Sequence, residues 1–143
     1  RFDEIIANAK AAHPDIVPDG VEVQKMMDSG EEVIVGMIRD KQFGPMIAFG
    51  MGGIYVNLIE DVSFNLAKGM SSQEIEEQIA STKVSKLLEG YRGEAPCDVE
   101  EVKEAIKRVA RLTLDFPEIS ELDINPIFVY EEGSSALDIK IKL

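Results

Sequence analysis

An α+β domain in which helices flank an antiparallel sheet is the fold class this sequence predicts, on three observations. Two apolar stretches, residues 32–39 and 45–49, are joined by only five residues, too few for a crossover helix, so they pair as a meander. A second pair, 127–130 and 136–143, is joined by a turn containing Gly133 and pairs as a hairpin. Between them lie segments of helical period, chief among them the one with Val102, Ile106, Val109 and Thr113 on a single face.

In chain order, Phe2, Ile5, Ile6 and Ala9 keep helical spacing, and this helix should stop near His13 because Pro14 disfavours a helical residue before it. No N-cap precedes it, so Arg1 reads as a poor natural beginning and an upstream region is expected. Val21 and Val23 alternate with polar neighbours and predict a short strand ahead of Met26 and Met27, the first of three in the meander. Gly52 and Gly53 follow the third, where missing side chains let backbone amides approach a phosphate or simply make a turn. Ser71 or Ser72 can cap a helix rich in Glu and Gln, and a helix through Leu87 and Leu88 can end at Gly90. Asp98 with Glu101 three residues on starts the most strongly periodic helix, which ends before Pro117.

The last hairpin carries the candidate chemistry. With its turn centred between Glu132 and Gly133, Ile127 faces Asp138, Asn125 faces Lys140, and Asp123, Asn125, Asp138 and Lys140 share one face. A slip of one residue would turn one strand's set over. Magnesium takes oxygen ligands at roughly 2.0–2.1 Å, keeps several waters and binds through one or two protein groups plus substrate phosphates. Asn125 and Asp138 suit that description. Spacing alone equally allows Asp and Asn that cap a strand or line a solvated face.

A chain of 143 residues is expected to form one domain with a core sufficient to fold without disulfide or metal. A net charge of −12 and a pI near 4.5 repel nucleic acid and anionic membrane surfaces, so neither is an expected partner. The longest apolar stretch, 46–56, is interrupted by Gly50, Gly52 and Gly53 and is too short to span a bilayer. The single cysteine, Cys97, cannot form an internal disulfide, and with no signal-peptide pattern a reducing cytoplasm is the expected compartment.

Six stretches in order give the chain a family resemblance. They are Glu32-Val33-Ile34-Val35-Gly36-Met37-Ile38-Arg39-Asp40, Gln42-Phe43-Gly44-Pro45, Phe49-Gly50-Met51-Gly52-Gly53, Gly90-Tyr91-Arg92-Gly93, Asp115-Phe116-Pro117-Glu118-Ile119 and Glu121-Leu122-Asp123-Ile124-Asn125-Pro126. The chain resembles, nearly end to end, the carboxy-terminal portion of the nucleotide-binding (beta) subunit of ADP-forming acetyl-CoA or acyl-CoA synthetases, ATP-grasp relatives of succinyl-CoA synthetase.

The resemblance implies an ATP-grasp fold and an acid–CoA ligase that interconverts acyl-CoA, ADP and phosphate with acid, CoA and ATP through a phosphohistidine. It implies ATP or ADP and Mg²⁺ as cofactors, and a CoA-binding subunit or domain as partner in a hetero-oligomer. Residue by residue, it implies Asn125 and Asp138 as metal ligands and Asp123 as the group that orients water or the incoming phosphohistidine. Lys140 would balance charge, Gly52 and Gly53 would face phosphate, and Gln24, Lys25 and Met26 would form a hinge at the adenine edge. The last three read equally well as a buried strand with methionines filling core gaps.

The chain departs from the family pattern at Asn57, where a glutamate is usual, and at Asn65 and Lys68, where Arg and Pro are usual. These changes, and an absent upstream segment, leave a non-catalytic scaffold serving subunit assembly as the alternative. Arg39 is expected to form a surface pair with Asp40 or Glu32, or to face a phosphate. His13 lies outside every motif and is not assigned a relay role, Cys97 lies in a loop with no histidine nearby, and the acidic runs at 74–77 and 100–104 read as solvated helix faces.

Overall fold

The computed structural model describes residues 1–53 and 61–143. Its strands are β1 (Glu31–Asp40), β2 (Gly44–Met51), β3 (Val62–Leu66), β4 (Glu121–Val129), β5 (Ser134–Ala136) and β6 (Ile139–Lys142). Its helices are α1 (Phe2–Ala12), α2 (Ser72–Ala80), α3 (Ser85–Leu88) and α4 (Val99–Asp115). The strands make one sheet in the order β3-β2-β1-β4, with β5 and β6 both pairing β4, and every pairing is antiparallel. The predicted fold class is therefore the observed one.

Strand alternation sorts the sheet into two faces. Val33, Val35 and Met37 of β1 and Ile47 and Phe49 of β2 are completely buried, and they join Ile75, Val102, Ile106 and Val109 of the helices in one core. Helix α4 packs on β1 and β2, and α2 on β3. The other face carries Ile38, Phe64 and Leu66, all exposed. Ser71 caps α2 in a reciprocal box with Glu74, and the Asp98 carboxylate accepts the Glu101 N–H at 3.2 Å to start α4. Val102, Ile106, Val109 and Thr113 are buried as their spacing predicts.

Residues 21–27 overturn one expectation: they form no strand, and Val23 and Met26 are 90% and 91% exposed. Alternation identifies a strand only where a sheet edge is there to pair with it, and the described sheet ends at β3 and β5. Strand β3 has the converse explanation. It turns Ser63 and Asn65 toward the core side and leaves Phe64 and Leu66 outside, so its hydrophobic pattern is inverted. Ser63 tolerates this because its hydroxyl donates to the Gln78 and Phe49 carbonyls, at 3.0 and 3.3 Å.

The final hairpin is also shifted. Asp123 pairs with Lys140 and Ile127 with Ala136, and the Asn125 N–H donates to the Asp138 carbonyl at 3.0 Å. The turn centres on Glu131 and Glu132, closed by Tyr130 N–H to Gly133 O at 3.1 Å, which moves the register by two residues. An even shift keeps Asp123 and its partner Lys140 on one face. Asp138 itself falls in the gap between β5 and β6 rather than within a strand, and β4 begins at Glu121 rather than at Ile127.

Arg39 pairs with neither Asp40 nor Glu32. Its Nε donates to the Ile119 carbonyl at 2.8 Å and its Nη2 to those of Thr113, at 2.8 Å, and Phe116, at 3.4 Å, so the guanidinium closes the C-terminus of α4 against the sheet. Asp61 does a similar job elsewhere. It is buried, and its two carboxylate oxygens accept the Lys83 and Val84 N–H groups at 2.7 and 2.9 Å.

Asp98 ties the helix layer to the hairpin, accepting the Gly133 N–H at 2.9 Å as well as capping α4. The Gly133 and Glu101 amides hold its carboxyl below the usual carboxylate range. A lowered folded pKa contributes stability that is present above the unfolded value and lost as pH falls through the folded one. The urea-midpoint difference between wild type and Asp98→Asn, which keeps the acceptor but not the charge, should therefore shrink as pH drops below about 4.

Candidate functional site

Three strands bring the candidate residues together. Between Val33 and Val35 the β1–β4 register slips, so that Asn125 and Pro126 together face Ile34 as a bulge. A bulge suits Pro126, which has no N–H to give the ladder. It also changes which parity of β4 is buried, from Leu122 before it to Ile127 and Val129 after it, and Asn125 sits at the change.

Strand β2 delivers Gly52 and Gly53 beside that bulge. The Gly52 N–H donates to the Glu32 carbonyl and the Gly53 N–H to Asn125 Oδ1, each at 2.8 Å. A Cβ on Gly52 would stand 2.6 Å from the Val33 carbonyl, and Gly53 adopts a φ of +72° with the Glu32 carboxylate against it. Both positions therefore require glycine for structural reasons. Gly30, Glu32, Met51, Gly52, Gly53, Asn125 and Pro126 line part of an open cavity of about 660 Å³.

Along the same hairpin, Lys140 Nζ lies 3.1 Å from Asp138 Oδ2, and Asp123 faces Lys140 across the strands. Burial raises the Asp123 carboxyl above its ordinary value; Lys140 opposes the rise, and Asp138 and Glu121 add to it. A cation brought to this corner would favour the charged form. Among the described residues, no group of three or more His, Cys, Asp and Glu is arranged to hold a metal. Asn125 and Asp138 both carry hard oxygen donors, the type that Mg²⁺ takes, and are backbone partners across the hairpin.

Other sequence candidates lie apart. Gln24, Lys25 and Met26 are exposed and line none of this cavity, and Gln24 donates to the Glu22 carboxylate at 2.7 Å. Asn57 lies outside the described residues. Asn65 Oδ1 accepts the Leu66 N–H at 2.9 Å, and Lys68 is exposed after β3. Burial and the carboxylates of Glu31, Glu131 and Glu94 push the Cys97 thiol up, which disfavours the thiolate. Sequence reasoning offered Glu32 only as a surface partner for Arg39. Its signal was an acidic residue opening an apolar strand with alternation opposite to Val33 and Val35.

The model of the ATP-grasp domain family matches residues 1–143. The chain is 45% identical over 142 residues to acetate–CoA ligase [ADP-forming] I of Archaeoglobus fulgidus, covering 99% of this chain and 21% of that protein. It is 44% identical to the beta subunit of acetate–CoA ligase [ADP-forming] I of Pyrococcus furiosus, over 99% of this chain and 61% of that subunit. Thus it spans about three-fifths of one relative and one-fifth of the other.

Among solved structures it is similar to the dinucleotide-forming acetyl-coenzyme A synthetase 1 of Ca. Korarchaeum cryptofilum, in complex with coenzyme A, Ca-AMPCP and HgCl⁺. The TM-score is 0.88 at 41% identity, over 99% of this chain and 62% of that one. A second structure of that enzyme, in complex with coenzyme A and Mg-AMPPCP, has its phosphohistidine segment pointing towards the nucleotide binding site. It matches with a TM-score of 0.79 at 42% identity, over 82% of this chain and 55% of that one. An antiparallel sheet backed by helices, matched along its whole length, places this chain in the ATP-grasp domain family, where it is similar to the ADP-forming acetate–CoA ligases.

Proposed function

We propose that the chain is the carboxy-terminal part of the nucleotide- and magnesium-binding unit of an ADP-forming acyl-CoA synthetase, which interconverts acyl-CoA, ADP and phosphate with acid, CoA and ATP through a phosphohistidine. The observation that carries this reading is the convergence of Gly53, Glu32 and Asn125 on one cavity, with Asp138 directly across the hairpin from Asn125. Relatives at 44–45% identity that are named for this reaction support it.

In-line phosphoryl transfer asks the protein mainly for position and charge neutralisation. Asn125 and Asp138 would hold Mg²⁺, which when bound supplies charge neutralisation for the phosphates. Lys140 keeps the Asp138 carboxylate oriented, and Asp123 orients water or the incoming phosphohistidine. The coenzyme A site and the acyl substrate belong to a partner subunit or domain.

A non-catalytic scaffold is the second reading. It draws on the engagement of both glycine amides within the protein and on Asn65 and Lys68, where the family pattern has other residues.

Titrating the complete protein and its Asp138→Asn variant with ADP, with and without magnesium, separates the two. The variant keeps shape and hydrogen bonding but removes one charge from the metal's surroundings. Magnesium-dependent ADP binding should weaken by about tenfold or more, beyond the roughly 0–1 kcal/mol of an exposed ion pair, while metal-free binding changes little. Equal magnesium dependence in both proteins would make Asp138 a structural residue and favour the scaffold.

A further inference from the structure

We infer that Asn125 is an exchange switch that couples cation binding to phosphate binding: its Oδ1 holds the Gly53 N–H in the arrangement seen, and on moving to the cation it releases that N–H to a phosphate oxygen. The inference rests on the magnesium–nucleotide reading above.

Both glycine amides that could meet a phosphate are engaged, but by different kinds of partner. The Gly52 N–H goes to the Glu32 carbonyl, which is fixed in the backbone of β1. The Gly53 N–H goes to a side chain, Asn125 Oδ1 at 2.8 Å, which a χ rotation can withdraw. Gly53 is therefore the amide that can be freed without unzipping the sheet.

The Glu32 carboxylate lies against Gly53, so a bare phosphate approaching that amide meets a negative charge as well as an occupied donor. A divalent cation removes both obstacles. It offsets the carboxylate, and it draws the Asn125 oxygen away from the amide. Metal and phosphate then bind with positive coupling through one hydrogen bond.

The test uses the complete protein, with ADP and inorganic phosphate as probes, each with and without magnesium. In Asn125→Ala the Gly53 amide is already free, so metal-free ADP should bind about three- to tenfold more tightly than to wild type, the factor corresponding to one neutral hydrogen bond. The enhancement by magnesium should largely vanish. Inorganic phosphate should follow the same pattern. Metal-free binding in Asn125→Ala that is unchanged or weaker overturns the switch and leaves Asn125 as a plain ligand or a structural pin.

A measurement on wild type protects the test against a variant that does not fold. With ¹⁵N-glycine labelling, the Gly53 amide resonance should move on saturation with magnesium and ADP together, and much less with ADP alone. A resonance that stays in place while magnesium-dependent ADP binding is observed overturns the switch and spares the functional reading. Absence of any magnesium dependence in wild-type ADP binding overturns the functional reading, and the switch with it.

Discussion

Gly50→Ala should be the most damaging glycine substitution in the chain, costing about 3 kcal/mol or more in a urea unfolding experiment. Gly50 pairs with Val62 at the β2–β3 junction, and a Cβ there would collide with the Asp61 carbonyl oxygen and stand 2.8 Å from Asp61 C and Val62 Cα. Those are backbone atoms, and no rotamer change can relieve them. The same carbonyl accepts the Met51 N–H at 3.0 Å, so strand separation would also cost a ladder bond. Asp61 would be dragged from its bonds to Lys83 and Val84.

A graded series sharpens the test. Gly52→Ala, at 2.6 Å from the Val33 carbonyl, should come next, and Gly36→Ala, at 3.2 Å from the Leu122 oxygen, should be milder. Gly20→Ala, with nothing within 4 Å, should be neutral or slightly stabilising through the unfolded state. A Gly50→Ala midpoint equal to that of Gly20→Ala would contradict the strand approach described here.

Much of this architecture was legible in the sequence because local chemistry and tertiary packing agreed. The Val102, Ile106, Val109, Thr113 stripe, the serine cap at 71 or 72 and the short 40–44 connection met no competing demand. Failures came where a local signal needed a remote partner. The alternation at Val21 and Val23 had no described edge to join. The hairpin turn was misplaced by one residue, and the register therefore by two, because Glu131-Glu132-Gly133 allows more than one centre. In the candidate site, Asn125 and Asp138 were legible as oxygen donors of one hairpin, although Asp138 lies between β5 and β6 rather than within a strand. The Gly53–Asn125 bond and the place of Glu32 were not, since residues 72 apart in the chain meet there only because a bulge in β4 turns Asn125 toward the end of β2.

Arg39→Ala should destabilise the fold by about 2–4 kcal/mol, since hydrogen bonds from a charged donor contribute roughly 1.5–3 kcal/mol each. Sequence alone offered a surface ion pair or a phosphate contact for this residue, and either would make its loss nearly neutral to folding. The structure gives it three carbonyls instead, on Thr113, Phe116 and Ile119, at the point where α4 ends and the chain turns into β4. Removing the guanidinium leaves part-buried carbonyls without donors and takes a positive charge from the negative end of a seventeen-residue helix. Arg39→Lys should recover only part of the loss, because one ammonium cannot span acceptors that the planar fork reaches from two nitrogens. Equilibrium denaturation of the three proteins checks the order wild type, Lys, Ala. Because α4 backs β1 and β2, the strands that set Glu32 beside the glycine turn, Arg39→Ala should also weaken magnesium-dependent ADP binding, though Arg39 lies outside the candidate cavity. A variant that unfolds like wild type would return Arg39 to the surface role its sequence context suggests.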